Sequence, residues 1–488
     1  MLAIYKRELK SYFRSFIGFL FIAVTLFFLG LYFSVYNLMN GYPYFAYVVS
    51  SVTFLFMLTV PILTMRILAE EKRSKTDQLI LTAPVSVGGI VMGKFLALLT
   101  IFAIPVAIIC FYPLIMAQYG SVPMGEAYLS ILAYFLFGMT AIAIGLFLSS
   151  VTESQVIAAV LTFLVLFLGY MMDSICSIIS STGNLLTKLL RCFDLYTPFS
   201  NLLNGTLDVS SIVYYVSVTA LVLFLTVQSI QKRRYSMSVK NLSFSAYSTG
   251  MIAVAVALVV VVNIIMGEMP SGWTAIDMTS QKLYSLTDQT VDYVKNMQDD
   301  VTIYVLVNQD NQDTTLGQTL QRYDDLSDHI TVEYVDPTVN PMFYTQYTTG
   351  NISTNSLIVV SEKRSKVIDY NDVYESSYDF DYSTYSYNTT TTGYDGEGQI
   401  TSALDYVLND DMPKVYMTTG HNELSLSNTF TSALNKENVT YESLNLMDVD
   451  TIPEDAACLF INGATSDFSS DDKDKVIDYL NNGGKVIL

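Results

Sequence analysis

The sequence predicts an α-helical membrane domain of six spans plus a seventh anchoring helix, followed by an extracytoplasmic α/β domain with a largely parallel sheet. Three observations carry this. Seven stretches within residues 1–267 are long enough, or nearly so, to cross a bilayer, and each is almost free of charge. Beyond residue 267, short apolar runs alternate with helical periods. Charge divides at the same place: residues 1–267 hold 15 Lys/Arg against 9 Asp/Glu, and residues 268–488 hold 11 against 36. A net +6 thus adjoins a net −25 within a 488-residue chain of −19, so the two halves are built for different surroundings.

The first 15 residues read as an interfacial amphipathic helix. Leu2, Tyr5, Leu9, Tyr12 and Phe16 recur at helical spacing, and Lys6, Arg7, Lys10 and Arg14 fill much of the rest, a pattern suited to the headgroup region of a lipid bilayer. The apolar stretches follow at 16–36, 45–65, 95–116, 127–148, 155–172, 212–227 and 250–266. A bilayer core needs about 20 apolar residues in a helix. These stretches are apolar all round, unlike the one-sided helices of a soluble core. The first is long and lacks a small-residue cleavage site, which argues against a signal peptide.

Lys and Arg set the orientation. Thirteen lie in the N-terminal segment and in the second-to-third and sixth-to-seventh connections, against two, Lys188 and Arg191, in the alternate ones. The N-terminus is therefore expected in the cytoplasm and residues 268–488 outside. The fourth-to-fifth turn fits this less well, because it carries Glu153 and no base. Residues 173–211 are too broken by Ser, Gly, Asn and Pro to span, and predict short helices dipping into the outer leaflet. Hydroxyls inside the spans (Thr53, Thr59, Thr100, Thr140, Thr162 and Thr219) are expected to bond mainly to their own helices, and Pro61 and Pro105 to kink theirs.

After the seventh span, strands are expected at 301–307, 330–335, 356–361, 414–418, 439–444, 457–462 and 485–488. Helices are expected at 287–297, 319–327, 399–409, 429–437 and 471–481. The alternation predicts a largely parallel sheet. The chain stops inside its last strand candidate, which predicts truncation of this domain. Residues 370–394, with seven tyrosines among polar residues, read as a solvated loop. Gly420, His421 and Glu423 follow a strand candidate, at the usual ligand edge of an open α/β sheet; they are either a ligand edge or a turn before a helix.

Chemistry-bearing residues are few. His329 and His421 are the only histidines, so neither His-based catalysis nor a metal site is predicted, and no cofactor. Of the four cysteines only Cys176 and Cys192 share a loop and could pair. The acidic outer half argues against nucleic acid as a partner. Gly88 to Lys94 fits GxxxxGK, but Phe95 stands where a phosphate-binding loop needs Ser or Thr, and no strand precedes it. The chain thus carries no recognisable ATPase machinery.

Residues 66–95 read RILAEEKRSKTDQLILTAPVSVGGIVMGKF: a highly charged connection, an apolar turn and a breaker at Pro84. On physical grounds such a loop could dock a partner or stay solvated. The segment resembles the signature of the type-2 (GldF-like) family of ABC exporter permeases, through Glu70, Glu71, Lys72, Arg73, Thr76, Leu79, Leu81, Pro84, Val85, Ser86, Gly93 and Lys94. The family's usual glycine before Thr76 is Lys75 here, and its Glu after Thr76 is Asp77. The resemblance covers about residues 1–235. It implies that Glu70, Glu71, Lys72, Arg73, Thr76, Leu79 and Pro84 form a coupling helix resting on a cytoplasmic ABC ATPase subunit, in a homodimer or paired permease of a bacterial plasma membrane.

A second resemblance spans about residues 250–488. DMTSQKLYSLTDQT at 277–290, EYVDPTVNP at 333–341, and the runs at 398–404, 413–416 and 420–423 resemble the auxiliary gliding-motility transport protein GldG. Asn422 and Gly398 depart from its pattern. The organisation expected is therefore an interfacial helix at 1–15, a permease domain at 16–235, an anchor at 250–267 and a GldG-like domain at 268–488. The expected function is an export permease with ATP hydrolysis in a partner. The alternative is a non-transporting anchor or assembly factor of an envelope or gliding-motility machine, working through its outer domain.

Overall fold

The computed structural model describes residues 1–78, 85–179, 185–234, 242–267, 269, 274–279, 282, 283, 285–307, 312–350, 352–381 and 386–488. The chain forms two compact units, Met1–Ser285 and Leu286–Leu488. The break falls beyond the last apolar helix, which ends at Gly267.

The first unit is helical. An opening helix, α1 (Leu2–Arg14), precedes α2 (Phe16–Phe33), which ends in a π-helical turn at Ser34–Met39. α3 (Ala46–Thr64) continues almost directly into α4 (Arg66–Arg73). Then come α5 (Val87–Ile109), α6 (Tyr112–Met116), α7 (Met124–Val151) and α8 (Gln155–Tyr170). Short helices α9 (Met172–Ile179), α10 (Leu185–Arg191) and α11 (Thr197–Leu203) occupy the segment expected to dip. Strand β1 (Thr206–Asp208), α12 (Val209–Arg234), α13 (Leu242–Gly267) and β2 (Ala275–Asp277) complete the unit, and β1 and β2 pair antiparallel.

Six helices among the described residues are long and apolar enough to cross a membrane: Phe16–Met39, Ala46–Arg73, Val87–Met116, Met124–Val151, Val209–Lys232 and Thr249–Gly267. Gln155–Tyr170 is apolar but shorter. The chain is a multi-pass membrane protein. α7 sits at the centre of its unit, with Tyr134, Phe137, Ile142 and Leu146 at or near zero exposure. Small residues bring helices against it. A Cβ on Gly145 would lie 2.2 Å from Thr64 Oγ1, and one on Gly138 2.3 Å from Phe102 Cζ.

The span hydroxyls divide. Thr53, Thr59, Thr100 and Thr162 donate to carbonyls of their own helices. Thr140 and Thr219 instead share a 2.9 Å bond between α7 and α12, worth about 1 kcal/mol in such a setting. The cysteines are free, and the Cys176 thiol donates to the Thr187 carbonyl.

The second unit holds two four-stranded sheets where the sequence suggested a single one. The first has the order β4-β3-β5-β6. It is built from β3 (Val301–Leu306), β4 (Ile330–Tyr334), β5 (Ser356–Ser361) and β6 (Ser365–Ile368). Only its β3–β4 pair is parallel. Helices α14 (Asp288–Lys295), α15 (Thr314–Leu326) and, further on, α17 (Gly396–Leu408) cover it, with Val305, Leu320, Val359 and Leu404 fully buried. After a short α16 (Tyr370–Val373), the tyrosine-rich segment forms an antiparallel hairpin, β7 (Tyr374–Asp381) with β8 (Ser386–Tyr394). This corrects the expectation of a loop: Tyr374, Tyr378 and Phe380 in β7 and Thr389, Thr390, Thr391 and Thr392 in β8 are residue types that favour a pleated strand.

The second sheet, β10-β9-β11-β12, is wholly parallel. It contains β9 (Lys414–Thr419), β10 (Thr440–Asn445), β11 (Ala456–Phe460) and β12 (Val486–Ile487), with α18 (Asn428–Lys436) and α19 (Ser470–Asn481) as crossovers. Ser427 and Ser469 cap the two helices by accepting from the Phe430 and Asp472 backbone amides.

Candidate functional site

The charged connection after α3 is a helix with a defined end. Pro61 leaves one backbone acceptor of α3 without its usual donor, and the chain turns at Met65 before continuing as α4. At the far end Lys75 N donates to Lys72 O (3.2 Å) and Thr76 N to Glu71 O (3.0 Å). These two bonds are a Schellman closure, whose pivot takes the left-handed conformation and favours glycine. Lys75 occupies that pivot at φ 57°. The glycine expected there from the permease resemblance thus has a conformational reason, and this chain departs from it at a cost of about 1 kcal/mol.

α4 is bound to its neighbours through an ion cluster. Lys94, on α5, is completely buried. Its Nζ lies 2.8 Å from Glu71 Oε2, 3.1 Å from Glu8 Oε1 and 3.0 Å from the Ile67 carbonyl, so all three ammonium hydrogens have acceptors. Arg7 Nη2 lies 2.8 Å from the other Glu71 oxygen and also contacts Glu8. Two cations thus balance two carboxylates across α1, α4 and α5. Burial alone would raise the Glu8 carboxyl, but Lys94 and Arg7 together hold it below its ordinary value. Beside the cluster, the Tyr12 hydroxyl donates to Leu63 O at 2.9 Å, and burial pushes its pKa well up, keeping it a neutral donor.

Gly93 explains how α1 reaches this position. A Cβ there would stand 3.0 Å from Met1 O and 3.3 Å from Ile4. Gly93 admits the backbone of α1, and the adjacent Lys94 meets its carboxylate. The Gly-Lys pair that mimics a phosphate loop is therefore a helix-packing device, on a helix capped by Ser86.

The predicted coupling residues take different places. Glu70 pairs with Arg66 one turn earlier. Glu71 belongs to the cluster. Lys72 donates to Val151 O at 3.1 Å and lies 3.4 Å from Glu153, so α4 supplies the base missing from the turn between α7 and α8. Arg73 is exposed, and the Thr76 hydroxyl hydrogen-bonds the Ser74 hydroxyl at 2.9 Å. Leu79 and Pro84 lie outside the described residues. Glu70, Glu71 and Thr76 line a cleft of about 360 Å³ together with Arg7, Glu8 and Arg66. Sequence reasoning did not find Arg7, Glu8 and Lys94 as partners of Glu71. Lys94, read as part of the connection, lies within a helix, and Glu8 and Tyr12 turn inward while Leu2 and Phe16 are exposed. A charge eight residues inside an apolar helix was the available signal.

In the second unit, β9 and β11 are neighbours whose crossovers leave in opposite directions, so their carboxyl ends flank a topological switch point. Gly420 (φ 110°) and Asn422 (φ 56°) turn the chain there. The loops after the two strands are joined: Leu424 N donates to Asn462 O at 2.8 Å, and Ser466 N to His421 O at 3.0 Å. Beneath them the His421 ring stacks on Phe468 at 4.0 Å, between Asp472 Oδ2 (3.4 Å from Nε2) and Glu423 Oε1 (3.6 Å from Nδ1). Burial opposes ionisation of Glu423, yet the His421 amide, donating at 2.7 Å, keeps its pKa below the ordinary value. The Ser469 hydroxyl does the same for Asp472, against burial and with help from Lys475. His421 and Glu423 are thus brought together with Asp472, which the sequence did not single out. All three side chains are at most 5% exposed, so the arrangement offers no open face to a ligand.

Residues 32–230 match the family model described as ABC-2 family transporter protein, which supports a type-2 ABC permease in the membrane half. Residues 280–373 match a domain of unknown function, DUF7088. A search of curated proteins finds no match to the chain.

Proposed function

We propose that this ABC-2-type membrane chain is the export permease of a system driven by a separate cytoplasmic ATPase, which presses on α4. The cluster of Arg7, Glu8, Glu71 and Lys94 is the observation that carries this reading. A load on α4 reaches the spans only if α4 is stiffly joined to them. Breaking a buried, mutually neutralised cluster leaves uncompensated charge, so α1, α4 and α5 resist separation. Lys72 extends the joint to the turn between α7 and α8. The exposed Arg73 and Thr76, with the cleft beside them, are the surface offered to the ATPase.

In this reading the N-terminus and α4 are cytoplasmic, following the basic residues. Residues 268–488 lie outside as a GldG-like accessory domain, anchored by the apolar stretch at 250–267. The permease works as a homodimer or beside a second permease, with ATP hydrolysis in the partner. Co-purification from native membranes tests it. The intact chain is expected to retain an ABC ATPase, and Glu71→Ala with Arg73→Ala to lose it. Arg73→Glu alone, on the exposed surface, separates lost docking from lost folding. Undiminished association in both variants ends the docking role.

A further inference from the structure

α7, the central helix of the first unit, carries an unpaired hydroxyl at Tyr134. The residue has no exposed surface, and its phenol oxygen is buried with neither donor nor acceptor. The Phe56 and Phe102 rings stand 5.0 Å and 5.4 Å from the Tyr134 ring, at 57° and 58°, and cover it with hydrocarbon. Other span hydroxyls are satisfied. Thr53, Thr59, Thr100 and Thr162 bond to their own helices, and Thr140 bonds to Thr219. Thr25 is a second exception: its buried hydroxyl also has no partner, and it stands on the face of α2 that carries Phe21, whose ring meets Phe56 at 6.4 Å. A buried hydroxyl left unpaired destabilises the arrangement that leaves it so, and phenylalanine in the same cage would carry no such cost. A second arrangement that pairs the hydroxyl accounts for it.

Phe102 is the movable half of the cover. Its ring tip fills the space left by Gly138, one turn after Tyr134: a Cβ there would lie 2.3 Å from Phe102 Cζ. Phe102 stands eight residues beyond Lys94 on α5, about 12 Å along the helix. Pro105 follows within a turn and leaves the Ile101 carbonyl without its helical donor, so α5 bends most readily where Phe102 sits. Lys94 ties the same helix to α4 through Glu71. A load on α4 therefore reaches the ring through a continuous stretch of helix that ends at a hinge.

We propose that Tyr134 lines the export route. When α5 bends at Pro105, Phe102 leaves the tyrosine, and the hydroxyl opens to water and to the cargo. The walls here are aromatic rings and a hydroxyl with no charge, which suits an apolar molecule bearing an uncharged hydrogen-bonding group. The trigger rests on the ATPase reading of α4; the cover and the hidden hydroxyl do not.

Thiol accessibility in the full chain tests it. The four native cysteines are changed to serine and Tyr134→Cys is introduced. Modification by methanethiosulfonate ethylammonium is timed in native membranes, at rest and with ATP and vanadate. It is expected to be about tenfold faster with nucleotide, since a minor state is at most about a tenth populated at rest. Phe102→Ala beside Tyr134→Cys should give the fast rate without nucleotide. That arm needs no ATPase, so a fast rate there with no response to nucleotide keeps the route and removes the trigger. A slow rate in both arms, with the variants folded, overturns the proposal. If Tyr134→Cys does not fold, Tyr134→Phe decides. It should raise the unfolding midpoint of the parent by about 2 °C and leave that of Phe102→Ala unchanged, because there the hydroxyl is already open. A gain in both backgrounds, or in neither, overturns the proposal.

Discussion

At the scale of single residues, the chain's ionisable groups act through burial more than through number. Lys94 is the extreme case. Lys94→Met leaves Glu8 and Glu71 facing each other with only Arg7 between them, and is expected to cost about 3 kcal/mol. Thermal unfolding of the purified protein would show it, and adding Glu8→Gln should recover part of the loss. Lys75→Gly goes the other way. It relieves the left-handed pivot and should stabilise by about 1 kcal/mol, visible as a raised midpoint in the same measurement. Glu423 and Asp472 give a pH dependence. Both carboxyls are depressed in the folded state, so their contribution is complete above the ordinary carboxylate range and is lost as pH falls through their lowered values. Protection of the 414–424 amides against exchange, relative to their intrinsic rates, should therefore fall on acidification below about pH 4 and stay level from there to neutrality. Were protection unchanged on acidification, the carboxylates would not be holding the loop.

At the scale of elements, close packing decides which helices can meet. Gly145→Val puts a branched side chain where Thr64 already stands, and α3 and α7 have no room to part inside a packed unit. A loss of about 1–3 kcal/mol is expected, again by thermal unfolding, with the exposed Gly120→Val as an unaffected control. Most elements were legible because their signals are local. The apolar spans follow from length and lack of charge, and the outer strands from short apolar runs between turns. The boundaries of β3, β5 and β9 lie within a residue of expectation. What escaped was set by distant partners. β6 is four residues long and follows charged Glu362, Lys363 and Arg364, so only its pairing with β5 reveals it. The hairpin of β7 and β8 was hidden for the same reason. The ion cluster joins residues 64 and 86 positions apart, and nothing local in EEK or GKF names Glu8 or Arg7 as a partner.

At the scale of the whole molecule, the division of charge between the halves makes a testable prediction about the sides of a membrane. If the N-terminus and α4 face the cytoplasm, Ser74→Cys should react with an impermeant maleimide only in inverted vesicles, and Asp410→Cys only in intact cells; both positions are exposed. Labelling of Ser74→Cys from outside would remove the ATPase docking surface and the export reading with it. The sequence conveyed the apolar helices and the reversal of charge, six of the seven expected spans being long enough to cross and 155–170 shorter, but not how the chain leaves the last span. There β2 folds back to pair with β1, at Asp277 with Thr206 and Ala275 with Asp208. Since β1 runs straight into α12 and β2 follows α13, the pairing closes these two helices into one loop at their remote ends. Tension drawn on the chain beyond Ser285 would therefore meet a strain relief first. Three backbone rungs would share the pull with α12 before α13 could be dragged through the lipid.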